Sequence, residues 1–470
     1  MLFHTPIHTS SHYPRLLLVL LCAAVMAVMA GEAMLVAAFP RIEAEFGISS
    51  IATAWILPAM MLVGVVMMPA LGSLGDIHGK KTMLIICLAV YATGVIFGGF
   101  AGDIVSLLLC RFLQGIGLGI APIACALIAE QLPRPRVPGA LGLLSATDGA
   151  GTVVGVLAGS CIVEWAGWRT CYHIAAPVAL LILIAAWVLV RPSPVRSTRR
   201  IDVPGIALLS IALFSGLLAL SFLNITLGVI SVCTLTGFLF WERKTKSPLF
   251  DLRFVRRHPM PTVCINAGMV MLLYFLLLQV MPYVIESPAG LGLSAIAVGL
   301  IMVPGTVADM ISGVAAGRFA GMKGIRIPYL IGALELAIAC MLLLILPLSA
   351  PLLVIVWIAV SSGMSILITV DSIAVVASAR PDRMATASSL VHTFQNLGGA
   401  VGPLVAGLAL AGSKQSYSGF STAFLIGMII SGFVLVQAVR LRQRKKAAGP
   451  ATIMSTGVAG EDTKKSSGEA

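Results

Sequence analysis

Four ionisable side chains stand inside long apolar runs of the sequence: the acids Glu32, Asp148 and Asp309 and the cation Arg111. A charged group in hydrocarbon costs at least ~2.5 kcal/mol to insert, so such residues belong on interior or cavity-lining surfaces, where acids take up and release protons. Glu32 and Arg111 lie about seven residues from the same end of their segments, or ~10 Å deep at ~1.5 Å per residue. They form a natural pair, either a switch in which the proton affinity of the carboxylate follows the engagement of the arginine or a static ion pair. At ~100° per residue Asp148 projects onto the face of Gly151, Gly155 and Gly159. Asp309 sits between Gly305 and Gly313 in a small-residue stripe that continues to Gly317. Glu335 and Asp371 rank behind these, the first on a helix expected at the periphery and the second near a membrane boundary. One segment, LLYFLLLQVMPYVIE, places Phe275, Gln279 and Tyr283 one turn apart on a single face, with Met271 just before it a turn above. That composition suits an adaptable apolar pocket or plain packing, and Gln114 joins these as a candidate for the substrate cavity.

The elements that position these residues are helices crossing a bilayer. Of 470 residues 59% are hydrophobic and 11% charged, with a mean hydropathy of +1.02, whereas soluble domains carry roughly a quarter charged residues. Uncharged runs such as Met83 to Gly102 and Leu208 to Trp241 reach or exceed the ~20 residues that span ~30 Å of hydrocarbon, and only helices satisfy the backbone of runs this long. The hydropathy predicts fourteen spans: 15–39, 52–71, 82–101, 104–129, 138–163, 171–190, 203–222, 225–241, 260–285, 294–317, 327–347, 351–378, 387–411 and 420–440. Lys80, Lys81, Arg134, Arg136, the basic runs of 191–200, 243–257 and 318–326, Arg380, Arg383 and the tail from Arg440 all fall in alternate connections. Arg41, Arg169 and Lys414 alone fall in the others. That asymmetry places both termini in the cytoplasm. The net charge of +12 is then a topology signal, and no basic domain is present to take a nucleic-acid partner. The first span lacks a small-residue cleavage site after a short apolar core and reads as a retained helix. Nine Cys are scattered singly, a pattern that suggests neither a disulfide framework nor a metal site.

An internal repeat organises the spans. Ala140 to Ser160 aligns without gaps on Ala387 to Gly407, setting Gly151 on Gly398 and Gly155 on Gly402. At nearly the same spacing, GSLGDIHGKK from Gly72 matches GRFAGMKGIR from Gly317. Two homologous halves with a substrate site between them is a common plan of secondary transporters. The expected units are a six-helix bundle over 1–190, a two-helix insertion with basic linkers over 191–259, a second six-helix bundle over 260–440, and a disordered cytoplasmic tail over 441–470.

The loop Gly72-Ser73-Leu74-Gly75-Asp76-Ile77-His78-Gly79-Lys80-Lys81 follows the second span. Its glycine spacing, the lack of Ser or Thr after Lys80 and the absence of a preceding strand exclude a phosphate-binding loop. It resembles the hallmark loop of the major facilitator superfamily. The resemblance implies a tight turn between helices 2 and 3 at the glycines. It also implies that Asp76 pairs with basic residues or a helix end to latch the cytoplasmic face, Lys80 and Lys81 forming the basic end. Arg111-Phe112-Leu113-Gln114-Gly115 resembles the fourth-helix signature of that superfamily. Gly142, Gly151, Gly155 and Gly159 resemble the helix-5 signature of its drug:proton antiporters, which implies that small residues let helix 5 press on the opposite half. Val156 stands where that signature has Pro and Ser160 where it has its last Gly. In helix 1 the usual acidic position is Gly31, with Glu32 beside it, a rotation of ~100°.

With the insertion, and with Pro248-Leu249-Phe250-Asp251-Leu252 and Gly317-Arg318-Phe319-Ala320, the chain resembles the fourteen-helix drug:proton antiporter branch over nearly its whole length. The resemblance implies an all-α membrane protein of two pseudo-symmetric six-helix bundles plus two inserted helices. It further implies proton-coupled export of small hydrophobic or cationic compounds by alternating access, with no cofactor beyond the proton gradient, by a monomer in a bacterial inner membrane. The proton-coupling candidates are Glu32, Arg111, Asp148 and Asp309. The changed helix-5 residues favour a rival, a dedicated exporter of one metabolite or natural product. A rival of another class is a sensor or intramembrane enzyme. Against an enzyme, no HExxH, phosphate loop or His–Cys–acid cluster occurs.

Overall fold

The computed structural model describes residues 12–133, 136–192, 202–245, 260–378, 384–412 and 417–440. The basic linkers within 193–201 and 246–259, Lys414 and the tail 441–470 lie outside the described residues. Fourteen helices are long and apolar enough to cross a membrane: α1 Tyr13–Phe46, α2 Ser50–Met68, α3 Lys80–Gly98, α4 Ile104–Gln131, α5 Gly139–Ala166, α6 Trp168–Leu189, α7 Val203–Phe222, α8 Ile225–Lys244, α9 Met260–Glu286, α10 Ala295–Ala320, α11 Arg326–Ile345, α12 Ala350–Val375, α13 Val391–Ala411 and α14 Ser418–Arg440. With fourteen spans, α1 begins and α14 ends on one face, here the basic face; the opposite side is the far face.

Helices α1 to α6 pack into one bundle and α9 to α14 into another. The two repeat one arrangement at the glycines that the sequence aligns. A Cβ on Gly151 would strike the Met26 carbonyl oxygen at 2.7 Å and one on Gly155 the Ala30 carbonyl at 2.5 Å, so α5 lies backbone to backbone on α1. In the second bundle Gly398 and Gly402 press in the same way on the carbonyls of Gly268 and Leu272, laying α13 on α9. Small residues drive such association in lipid by letting helices approach closely. Gly155→Leu is expected to destabilise the protein by about 1–3 kcal/mol through overpacking, read as a lower Tm of the purified protein. Gly142→Ala, where a Cβ meets open space, should leave Tm the same or slightly higher, since Ala is the better helix former.

Two boundaries differ from the sequence reading. The first span does not stop before Pro40: α1 passes through a 3-10 turn at Val36–Ala38 and resumes as Phe39–Phe46. Proline is tolerated in a first helical turn because its missing N–H would be unpaired there. The segment after the second span is helical as well, its helix running Ile56–His78, and Gly79 alone makes the turn at φ 96°. Its repeat partner Gly324 ends the α10 helix, Ala295–Lys323, at φ 85°. Glycine alone adopts such angles without strain, so the paired loops share one turn residue. On the far face Asp103 caps α4, accepting from the Ser106 amide at 2.7 Å. Those backbone and hydroxyl bonds hold its carboxyl below the usual range.

The inserted hairpin α7/α8 docks through α7 against α2 and α13, across the line where the bundles meet. Trp55 Nε1 donates to Ser221 Oγ at 3.0 Å, and Trp241 Nε1 donates at 2.7 Å to Asp202, the cap of α7. A cavity of about 390 Å³ lies between the two helices, lined by Leu208, Gly237, Phe240, Trp241, Lys244 and Thr245. It belongs to the hairpin alone and includes none of the intramembrane charges.

Candidate functional site

Arg111, on α4, is 0% exposed. Its Nη1 donates to the Gly31 carbonyl at 2.9 Å and to Gln114 Oε1 at 3.1 Å, and lies 3.9 Å from Met60 Sδ. The guanidinium carbon stands 5.9 Å from the Tyr172 ring centre. Nε and Nη2 have no hydrogen-bond partner. The expected anchor, the Glu32 carboxylate, is thus replaced by the carbonyl one residue before it. The depth match behind that expectation fails because α1 continues to Phe46, which sets Glu32 ~20 Å rather than ~10 Å from the far end of its helix. Gln114, expected in the cavity, is buried and orients the arginine instead, its Nε2 donating to the Gly94 carbonyl at 2.9 Å.

Asp309 is half-buried on α10, and its main-chain carbonyl accepts from Ser365 Oγ of α12 at 2.8 Å. Tyr274 of α9 is buried, its ring centre 5.4 Å from that of Trp357 of α12. It lies within electrostatic reach of both Asp309 and Glu32, carboxylates that belong to opposite bundles. Sequence reasoning missed this tyrosine, which is ~100° around the helix from the Met271 and Phe275 face that drew attention. On that face Met271 and Phe275 are half-buried, and Phe275 with Met61 of α2 bounds Gly399. Gln279 and Tyr283 are fully buried and line no open surface.

Tyr283 belongs to a closure at the far face. Its hydroxyl donates to Glu43 Oε2 at 2.7 Å, joining α9 to the end of α1, and Ser50 Oγ donates to Glu43 Oε1 at 3.0 Å. Arg41 donates to the Val163 carbonyl at 2.9 Å, pairs with Glu164 of α5 and reaches Glu286 of α9 at 3.6 Å. Glu164 in turn accepts from the Ala295 amide that opens α10, at 3.0 Å. One arginine therefore ties α1, α5 and α9 together, and its partner carboxylate holds α10. Each of these residues sits near a span end, where a charge looks like an ordinary solvated one; only their meeting across the bundles distinguishes them.

The glycine stripe of α5 does not face the opposite half as expected. Gly151, Gly155 and Gly159 all press on α1, and Gly142 faces open space. The other bundle meets α5 at Gly149, beside Met310, and at Val156 and Ser160, beside Gly299. The two positions that depart from the antiporter signature thus lie on the seam, with a glycine of α10 making room for Ser160. At the basic face Lys80 pairs with Glu130 of α4 at 2.7 Å, tying the turn at Gly79 to a neighbouring helix through an acid the sequence did not single out. Lys81 is half-buried. The side-chain placements of Asp76 and Asp148, and the surroundings of Gly72, lie outside the described residues.

Two helix bundles meeting along a polar seam, pinned together at one face, define a membrane transporter. Residues 21–403 match the Major Facilitator Superfamily, and the chain belongs to that family. It is similar to the puromycin resistance protein pur8 of Streptomyces alboniger, 26% identical over 450 residues that cover 90% of this chain and 87% of that protein. It is also similar to the multidrug resistance protein Stp of Mycobacterium tuberculosis (strain CDC 1551 / Oshkosh), 24% identical over 387 residues, 80% and 72% of the two chains. Among solved structures, a bacterial homolog to the human lysosomal transporter Spinster, in an inward-facing and occupied conformation, shares the fold with a TM-score of 0.65 at 16% identity, covering 92% of this chain and 96% of that one.

Proposed function

We propose that the protein exports small hydrophobic or cationic compounds in exchange for protons, by alternating access. The observation that carries this reading is that intramembrane acids of both bundles, Glu32 and Asp309, lie within electrostatic reach of one buried side chain, Tyr274. A proton on either carboxylate changes the charge at the seam on which the bundles rock, and so couples proton binding to which face is open. Arg111 supports it with two unsatisfied donors, one residue from Glu32 along the bonded strip of α1. Asp148 contributes a further acid from α5, while Asp76 with Lys80 and Lys81 forms the latch of the basic face. In this reading the basic face is cytoplasmic, the pinned far face is external, and the chain works as a monomer with the proton gradient as its only energy source. Met271 and Phe275, half-buried, offer a compliant apolar surface. The resistance named for its relatives supports export.

The test uses everted membrane vesicles with an imposed proton gradient and a panel of lipophilic cations, neutral drugs and organic acids. Collapse of the gradient by several unrelated compounds, only when the protein is present, is the expected result. Response to a single compound would replace broad export by a dedicated exporter, consistent with the altered residues Val156 and Ser160 on the seam. Response to none, with the protein shown to be inserted, would refute proton-coupled export of these classes.

A further inference from the structure

Away from the seam, three polar side chains from three helices of the second bundle are buried together toward its basic end: Asp371 of α12 at 1% exposure, Tyr329 of α11 at 2% and Asn266 of α9 at 1%. Each carries an atom that bonds to nothing, namely Asp371 Oδ2, the Tyr329 hydroxyl and Asn266 Oδ1. Tyr329 stands close enough to the other two for the carboxyl and the amide to act on it, yet no hydrogen bond closes on its hydroxyl. Cys264, also on α9, lies within reach of the same carboxyl. Among the described residues Asp371 enters none of the ion pairs.

Buried polar groups are nearly always paired, and each exception calls for a physical reason. Two of the three, the carboxyl oxygen and the amide oxygen, are acceptors that face one shared donor, the Tyr329 hydroxyl. One hydroxyl cannot serve both, so an ionised carboxylate at this depth would leave an acceptor unsatisfied and add a charge with no ion-pair partner among the described residues, which costs several kcal/mol. A proton on Asp371 removes the charge and turns one acceptor into a donor. Among the described residues the neighbouring elements supply no competing charge. Tyr329 and Cys264 are the titratable groups that face the carboxyl from α11 and α9, α10 turns Gly317 toward Thr369 with Arg318 exposed, and α13 sets Val391 against Ala374 and Val375 with His392 exposed beside it.

We propose that Asp371 is a proton-binding carboxyl of the second bundle, separate from the carboxylates of the seam, protonated while the far face is closed and able to give its proton to water at the basic face. The proposal rests on the proton-coupled reading for its role in the cycle, although the protonation itself does not. Asp371, Tyr329 and Asn266 come from α12, α11 and α9, so any shift of these helices against one another re-sorts the hydrogen bonds around the acid and changes the cost of its charge.

The experiment is infrared difference spectroscopy of the full-length protein in lipid nanodiscs, titrated from acid to alkaline pH. The wild type should show a protonated-carboxyl C=O band that disappears as pH rises, and Asp371→Asn should lack that one band. Tyr329→Phe, which removes the hydroxyl that faces the acid, should keep the band and move it to higher frequency; it serves as the readout if the Asn variant does not fold. Carboxyl bands identical in wild type and Asp371→Asn, or a band that is lost in the variant but never titrates in the wild type, would overturn the proposal. If the band titrates while vesicles show no proton-coupled transport, the coupling reading fails and the Asp371 site stands. If transport is proton-coupled and no such band exists, the site fails and the coupling reading stands.

Discussion

In proteoliposomes energised by an imposed proton gradient, Asp309→Asn is expected to reduce substrate accumulation to the passive ratio while leaving the protein folded and able to bind. The substitution keeps the shape of the side chain and fixes it in a neutral state. The neighbouring structure is held by the main-chain carbonyl of residue 309, which accepts from Ser365, so the α10 to α12 contact survives. What is lost, in the proposed exchange, is the change of charge that links the seam to the gradient. A membrane potential supplies ~2.3 kcal/mol per charge per ~100 mV, about fifty-fold in concentration for one proton exchanged against one neutral substrate. The variant should bring that ratio close to one, with downhill exchange of substrate retained. Glu32→Gln should act in the same direction, because both carboxylates lie within electrostatic reach of Tyr274. Accumulation by Asp309→Asn equal to wild type would remove α10 from the coupling path.

Arg41→Ala is expected to loosen the far face. The arginine bridges Glu164 and Glu286 from opposite bundles, and its side chain is 36% exposed against 10% for Glu286. The contact therefore lies between the exposed pairs that contribute little and the buried ones whose breakage costs several kcal/mol. A loss of about 1–2 kcal/mol shifts a two-state balance by about five- to thirty-fold. Hydrogen exchange of the segment 287–298 in nanodiscs reads this directly, since the Ala295 amide is held by Glu164. That segment should exchange faster by this factor in the variant, while α3 and α4 remain as protected as before. Unchanged exchange there would mean that the bonds of Glu43 with Tyr283 and Ser50 close the face without help from Arg41.

The spans were legible because hydropathy is a local property: each of the fourteen has its own apolar run, and a bilayer permits helices alone. Their ends were less so. Pro40 and the glycines of residues 72–79 read as breakers, yet the first turn of a helix accepts proline and membrane helices accept glycine. The consequences reached the site. Ending α1 too early set Glu32 level with Arg111, and ending α2 too early turned a helical segment into a loop. Asp371 was ranked low as a boundary residue, but its helix runs on to Ser378, leaving the acid about two turns inside. The glycines of α5 were recognisable as a close-packing face, since spacing fixes which residues share a face; it does not say which neighbour they meet. Tyr274, Glu130 and the network around Arg41 were invisible for the same reason, each owing its role to partners far away in the chain.

The central claim is that proton movement through seam carboxylates accompanies substrate movement. Its most direct test is the simultaneous recording of proton and substrate flux in proteoliposomes of the purified protein, using a lipophilic cation as substrate and a trapped pH-sensitive dye. Addition of the cation should evoke opposite proton flux in the wild type, and Glu32→Gln combined with Asp309→Asn should abolish the proton signal while cation exchange continues. Cation transport by the wild type without proton flux, or an unchanged proton signal in the double variant, would contradict it.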